Sequence, residues 1–538
     1  MKTTSAILIA LTWRILIAVS TRTFFQPDEF FQSLEVAHRA VFGYGHLTWE
    51  WTASPPIRSV FFPALYMPVY WLLKIIGPKI FQGALAAVTD ISTRELARQM
   101  IGERYAGTAF TLSLTAFFHI LALSRTLSNS VETSLTTAAL CFWPWHSLYS
   151  RRQLQFAFAL AAASCLVRPT SLIIWIFLFL ELYRRTRWDK VFMRQLFALS
   201  LFTGLLATAF IVYIDSLYFG RWTFTPLNFV FTNLSSVSLF YGRAPWHYYL
   251  TQGFPILLNV CLPFVIHGSW TTERRGTKYQ KTALSLIFWT TFVYSLMGHK
   301  EWRFLHPLLP LMLVFSAKSL GGDMDKEMRK HSRRPTSKRV PFSVKTTIIC
   351  ALGIIPGLYV MRLHGSAQIT VMSYLRSLDP AILRSVGFLM PCHSTPWQSY
   401  LHRPELSDGY LWALSCEPPL KGLDIATYAD QTDIFYASPI KYLKQNFPAA
   451  VDPAFPPSPS PSTKPGSQPP AFSRWDHRWP SHLVFFGALL EDIREGRKVE
   501  RYLRELGYTE VWSTKNGFEE DWRRRGGVRV WQWQKAPT

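Results

Sequence analysis

The sequence predicts a mainly α, polytopic membrane protein, and three observations carry that prediction. Apolar residues, 49% of a chain of 538, gather into long blocks instead of spreading through amphipathic patterns. The blocks are separated by short loops. Those loops hold most of a formal charge of +23, the pattern expected of segments retained on the cytosolic face of a membrane. A basic balance of this size also suits nucleic acid, but no aromatic-interleaved basic surface or zinc-ligand spacing accompanies it, so no nucleic-acid partner is expected.

The first block, residues 5–19, resembles a secretory leader. Arg14 interrupts it and no small-x-small cleavage site follows, so it reads as an uncleaved span. Further blocks lie at 59–76, 106–123, 131–149, 154–167, 171–183, 196–214, 248–267, 282–297, 304–317 and 344–361. That makes about eleven transmembrane helices, several short for a hydrocarbon core that needs roughly 20 residues. With this set, the basic loops at 151–152, 184–194, 274–281 and 326–345 share one side, the cytosol. Residues 79–104 would break that parity as a span, so they read as an interfacial amphipathic helix, Arg94 and Arg98 toward water and Leu85, Val88 and Leu96 toward lipid.

Residues 1–361 therefore form the transmembrane domain, with a first lumenal loop at 21–58, and residues 362–538 a lumenal C-terminal domain. A Pro/Ser-rich run at 453–470 cannot build a core and reads as a disordered insert. The apolar run 483–486 followed by the charged stretch 491–506 suggests a strand and a helix, hence a small α/β fold. Cys141, Cys165, Cys261 and Cys350 sit in apolar blocks as ordinary packing. Cys392 and Cys416 lie in the polar region, where an oxidising lumen allows a disulfide between them. No CxxC spacing is present, and no metal is expected.

Two segments carry the candidate chemistry. Asp28 and Glu29 follow Pro27 just beyond the first span, flanked by Phe24, Phe25, Phe30 and Phe31. Burial among aromatic rings raises a carboxyl's pKa and suits it to proton transfer; the same pair also suits two solvated acids starting the helix 30–41. The second segment, Gly298 to Phe304, places His299, Lys300, Glu301 and Arg303 together at a membrane boundary, an expensive arrangement unless the charges are paired or bind something. Lys, Arg and His there can hold a phosphate; the alternative is a snorkelling cluster in which Glu301 pairs with Arg303. Arg125, Ser128, Asn129 and Glu132 at one turn, and Arg168-Pro169-Thr170 at another, read individually as caps or kinks. Arg221 stands among aromatic residues that suit either sugar stacking or interface anchoring. Asn233-Leu234-Ser235 is a possible N-glycosylation site.

The stretches PDEFFQSLEVAHRAVFGYGHLTWEW, SRTLSNSVET, VRPT, DSLYFGRWTFTPLN, GHKEWRFLHPLLP and FLMPCHSTPWQSYLH resemble the dolichyl-phosphate-mannose-dependent mannosyltransferases of glycosyltransferase family 22. The PDE and HKExRF elements mark the family. PCHSTP and LTWEW point within it to the glycosylphosphatidylinositol (GPI) mannosyltransferase III branch. The resemblance implies a GT-C glycosyltransferase fold in the endoplasmic reticulum membrane with a lumenal active site. It implies dolichyl phosphate mannose as donor, a GPI precursor with two mannoses as acceptor, and transfer of the third mannose in α1,2 linkage with inversion. Asp28, with Glu29 in reserve, would take the acceptor's proton. His299, Lys300, Glu301, Arg303, Arg168 and Arg221 would bind substrate, the cations receiving the leaving dolichyl phosphate without a metal or other cofactor.

A mannosyltransferase of lipid-linked oligosaccharide assembly is the alternative within the family. A polytopic secondary transporter is the alternative outside it; that class predicts internal repeats and mid-membrane charges, whereas these clusters lie at boundaries.

Overall fold

The computed structural model describes residues 2–146, 150–235, 237–240, 242–331, 344–419, 428–459, 475–491 and 495–534. The chain forms two compact units. One comprises Met1–Ser20, Ile57–Leu234 and Tyr241–Tyr359, the other Thr21–Pro56, Ser235–Phe240 and Val360–Thr538. The first loop, expected with the spans, thus groups with the C-terminal part of the chain.

The first unit is helical throughout. Most of its apolar blocks fall largely on helix, and among the described residues five helices are long and apolar enough to cross a membrane: Thr3–Ser20, Lys190–Phe219, Tyr249–Arg275, Trp302–Gly322 and Val344–Ser377. Local chemistry starts and stops them. Helices Arg151–Val167 and Lys278–Leu296 each begin with a capping box, Ser150 with Gln153 and Thr277 with Gln280, which satisfies backbone N–H groups that the first turn leaves unpaired. Arg168 is extended ahead of Pro169, which opens a short 3-10 turn, because the residue before a proline avoids helical backbone. Helix Lys190–Phe219 exposes Phe202, Leu205, Leu206 and Tyr213. A bare apolar surface of that extent is stable only against lipid.

Two expectations are corrected here. Block 106–123 is not one helix: Glu103–Thr115 ends at Ala116, and a π-helical turn, His119–Leu123, follows. Residues 79–104 are not a surface helix either. Residues 79–101 belong to Ile76–Ile101, which packs along Thr3–Ser20 and buries Leu96, Ala86, Ala87 and Arg94, and Glu103 and Arg104 begin the next helix. The physical reason is a polar knot that hydropathy cannot register. Arg14, fully buried, donates through Nε and Nη2 to both oxygens of Asp90 at 2.7 and 2.8 Å, and to the carbonyls of Ser113 and His119 at 2.7 and 3.1 Å. Ser113 Oγ adds a bond to Asp90 at 2.6 Å. The helices approach closely because residue 83 is glycine; a Cβ there would lie 2.8 Å from the Cα of Ile15, the close backbone packing typical of membrane helices.

The second unit holds a five-stranded mixed sheet, β1 Val386–Phe388, β2 Leu411–Ala413, β3 His482–Phe486, β4 Tyr508–Thr514 and β5 Val528–Trp533, in the order β2-β1-β3-β5-β4. β1 pairs in parallel with β2 and β3, whereas β5 runs antiparallel to β3 and β4. Its core gathers Trp412, Phe435, Leu443, Trp479, Phe485, Val499, Tyr508 and Trp531. Helix Gly496–Glu505 covers it with Val499 and Leu503, the spacing of one apolar face.

The Pro/Ser-rich run is corrected in part. Residues 453–459 are packed: Ser458 N–H donates to the Gly409 carbonyl at 3.0 Å, and Phe455 is buried with its ring edge-on to Trp533. Arg384 fixes the same segment by donating to the carbonyls of Pro453 and Ala454. Proline carries no N–H but keeps its carbonyl, and these acceptors are what the segment offers. Residues 460–470 lie outside the described residues, as does most of the basic loop at 326–345.

Candidate active site

In the second unit, Pro27 opens a helical stretch by accepting at its carbonyl from the N–H groups of Phe30 and Phe31, at 2.9 and 3.0 Å. Asp28 is half-buried and Glu29 buried at its start. Phe24 stacks on Phe30 with centroids 5.2 Å apart, and Tyr400 meets Phe30 edge-on. The aromatic setting expected of the pair is present. The stretch continues as Phe30–Leu34 and Glu35–Phe42 and ends at Gly43, whose φ of +85° serves as a left-handed cap, a conformation glycine adopts without cost.

Glu35 escaped the sequence reading. It is fully buried, and its Oε1 accepts from the Ser399 N–H at 2.6 Å, tying the first loop to the segment Gln398–Leu401. Burial pushes its carboxyl up to about 7, against the opposing hydrogen bonds from Ser399 and the backbone. The only available signal, a lone Glu at the hydrophobic face of helix 30–41, does not separate it from ordinary helix charge.

Beside this helix lies a cavity of about 550 Å³ built from residues 31–49 and 388–417, with Tyr44, His46, Thr48, Trp49, Trp397 and Asp408 in its lining. The His46 and Trp397 rings lie 5.9 Å apart, and Phe31 packs on His393 at 4.5 Å. Burial lowers the histidines, His46 to about 4 and His393 to about 3, so both are neutral near pH 7. Cys416, in the lining, is joined to Cys392 in a disulfide across a Cα separation of 5.8 Å. With His393 they stand as close as a metal-ligand set would, but both sulfurs are spent in the covalent bond and neither is a thiolate.

In the first unit, the turns read separately in the sequence converge. Arg168 forms an ion pair with Glu132 at 3.0 Å, donates to Ser128 Oγ at 3.0 Å and lies 5.4 Å from the centre of the Phe304 ring. Asn129 Nδ2 donates to the Arg303 carbonyl at 3.4 Å. Arg125 instead closes its own turn, donating to the Leu121 carbonyl at 2.8 Å. Glu301 bridges the cationic segment: His299 Nε2 lies 3.2 Å from Oε1, Arg303 Nε donates to Oε2 and Arg303 Nη2 to Oε1 at 2.9 Å. Burial pushes Glu301 up, yet Arg303 and His299 outweigh it and hold the carboxyl well below the usual range. The hydrogen bond to Glu301 in turn raises His299, against burial. Lys300 is buried with its ammonium on the carbonyls of Ala244 and Met297. The pairing of Glu301 with Arg303, weighed in the sequence as an alternative, is therefore real, and Glu301 organises two of the three cations.

Arg221 is exposed just after helix Lys190–Phe219. The nearby acid, Asp215, is structural, accepting from Ser59 Oγ, Val60 N and Thr225 Oγ1 at 2.8, 3.0 and 2.5 Å. Asn233 ends helix Thr225–Leu234 and donates to the Phe229 carbonyl.

The model of the Alg9-like mannosyltransferase family matches residues 5–402, a span that contains every one of these groups except the Cys416 half of the disulfide and Asp408. The chain belongs to the Alg9-like mannosyltransferase family. It is a mannosyltransferase, as the family is. GPI α1,2-mannosyltransferase 3 of Mus musculus is 36% identical over 82% of this chain and 79% of its own. GPI mannosyltransferase 3 of Yarrowia lipolytica is 35% identical over 98% of this chain and 96% of its own. Among solved structures, ArnT from Cupriavidus metallidurans bound to undecaprenyl phosphate superposes with a TM-score of 0.57 at 12% identity, covering 98% of this chain and 97% of that one. That likeness shows the GT-C fold.

Proposed function

We propose that the chain is the GPI α1,2-mannosyltransferase that adds the third mannose, from dolichyl phosphate mannose to a two-mannose GPI precursor, in the endoplasmic reticulum membrane. The observation that carries this reading is similarity over 82% of the chain to a relative named GPI α1,2-mannosyltransferase 3 and over 98% to one named GPI mannosyltransferase 3. The fold agrees with it, as do a half-buried acid in the first loop and a cationic segment at a helix boundary.

In this reading the spans number about eleven, and the groups that act on the substrates face the lumen. Asp28 takes the proton of the attacking acceptor hydroxyl while the bond from the anomeric carbon to the donor phosphate breaks, so that one displacement inverts the centre. Glu29 is the reserve base. His299, Lys300 and Arg303, with Glu301 orienting two of them, receive the negative charge of the leaving dolichyl phosphate, a role that preorganised cations fill at low cost in a poorly solvated setting. Arg168 and Arg221 are further contacts to substrate. No metal is needed in this scheme, because the cations do the work of charge neutralisation; activity persisting in EDTA is the expected result.

The test is transfer from labelled dolichyl phosphate mannose in microsomes containing this protein as the sole such enzyme. Label should appear on a two-mannose GPI lipid and not on truncated dolichol-linked oligosaccharides. The reverse preference would assign the chain to oligosaccharide assembly.

A further inference from the structure

The cavity of about 550 Å³ is wholly contained in the second unit, and its walls come from two stretches remote in sequence. One includes Thr48 and Trp49 of LTWEW. The other includes His393 of PCHSTP and the adjoining Trp397. These are the two motifs that narrow the family resemblance to one branch, and the fold brings both to one surface. Enzymes that share a donor differ in what they add the sugar to, so residues that mark a branch and line a common cavity are placed to read the acceptor.

The lining has the chemistry of a carbohydrate site. Tyr44, Trp49 and Trp397 offer apolar ring surface for the C–H faces of a pyranose. His46, neutral as described above, offers one donor and one acceptor to hydroxyl groups, His393 offers Nε2 since its Nδ1 lies 3.6 Å from Cys416 Sγ, and the Asp408 carboxylate stands exposed among the lining residues. The volume falls within the roughly 300–1,000 Å³ of small-molecule sites.

Thr48 adds an independent sign. Its side chain is buried to 6% exposure, and its Oγ1 has no hydrogen-bond partner among the described residues. A buried hydroxyl left in that state is destabilising, and a ligand that supplies the partner removes the cost. Phe31, also in the lining, stands three residues after Asp28 in one helical stretch.

We infer that this cavity binds the mannose-terminated glycan of the acceptor, with the Thr48 hydroxyl bonded to a sugar hydroxyl and the end of the glycan directed toward Asp28. The inference rests on the function proposed above and specifies where that reaction's acceptor is recognised.

The experiment uses full-length protein in microsomes and measures KM separately for a two-mannose GPI acceptor and for dolichyl phosphate mannose. Thr48→Val keeps the shape and removes only the hydroxyl. If that hydroxyl serves the fold alone, its loss leaves KM unchanged. The expected result is an acceptor KM raised about tenfold, equivalent to about 1.4 kcal/mol, with donor KM unchanged and a melting temperature of the ligand-free protein no lower than the parent's. Asp408→Asn, an exposed change that spares the fold, should raise the acceptor KM as well. A soluble α-linked mannobiose should inhibit the parent enzyme competitively with the acceptor and do so more weakly in Thr48→Val. Acceptor KM within twofold of the parent in both variants would overturn the inference, and so would a rise confined to the donor KM. Failure of the parent enzyme to mannosylate the two-mannose lipid at all would instead strike the proposed function.

Discussion

At the scale of single residues, the proposed division of labour between Asp28 and Glu29 is open to direct measurement. Asp28→Asn keeps the size of the side chain and removes its basicity, so transfer in microsomes should fall about 10²- to 10⁴-fold, the usual contribution of a positioned base. Glu29→Gln should cost less, since Glu29 is the more buried of the two. Glu301 gives a second test with a definite sign. Because its hydrogen bond raises His299 above the ordinary 6.5, the histidine keeps its proton to higher pH, and the donor KM should climb only as pH rises through that raised value. In Glu301→Gln the climb should begin at lower pH, and a donor KM profile with no such displacement would count against a phosphate role for His299. These residues were legible in the sequence because charge at a membrane boundary is rare and needs a reason. Glu35 was not, since its singularity lies in Ser399, more than three hundred positions away, which only the fold brings near.

At the scale of elements, the disulfide closes a separation of 24 residues between the segments following β1 and β2. Closing a loop of that length restricts the unfolded chain by about 3 kcal/mol. Replacing both Cys392 and Cys416 by Ser should lower stability by that order, readable as a drop in the melting temperature of the purified protein in detergent. Helix Glu35–Phe42 carries its own pH dependence. The folded pKa of Glu35, about 7, exceeds the ordinary 4.5; between these values the folded state holds a proton that the unfolded chain has lost. Its contribution to stability is therefore full below the lower value and is lost as pH rises through the upper one. Glu35→Gln keeps an acceptor for Ser399 N–H and abolishes the titration, so its melting temperature relative to the parent should increase from pH 5 to pH 8. A constant difference across that range would show that Glu35 does not titrate there. The element that sequence reasoning misplaced, Ile76–Ile101, went astray for a comparable reason. Span parity made it an interfacial helix with Arg94 and Arg98 toward water, but Asp90 and Arg14 pair in the interior, and neither a parity count nor a hydropathy sum can see a partner in another helix.

At the scale of the whole molecule, the membrane character was readable because lipid demands long apolar segments with internally satisfied backbones, whereas the GT-C fold followed only from the family resemblance of the quoted motifs. The small sheet was readable only at β3. β1 and β2 are three residues each, too short to show alternation, and they exist because tertiary pairing supplies what local pattern does not. Sidedness can be checked on helix Lys190–Phe219, whose 30 residues reach about 45 Å at 1.5 Å per residue. In a background lacking Cys141, Cys165, Cys261 and Cys350, a cysteine at Arg187 should react with an impermeant maleimide added to sealed microsomes. One at Arg221 should react only after the vesicles are opened. Labelling of both, or of neither, before opening would refute this orientation.

The junction of Thr3–Ser20 with Ile76–Ile101 depends on an atom that is missing. With a hydrogen at position 83 the first helix can settle against its neighbour and the guanidinium reaches its carboxylate; with a methyl it would strike the backbone of Ile15. Lipid-facing positions nearby, such as Leu8 and Leu16, tolerate any greasy substitute. The tolerance of this seam to change should thus be sharply uneven, generous on the side that meets the bilayer and nil at a single smooth spot on the other.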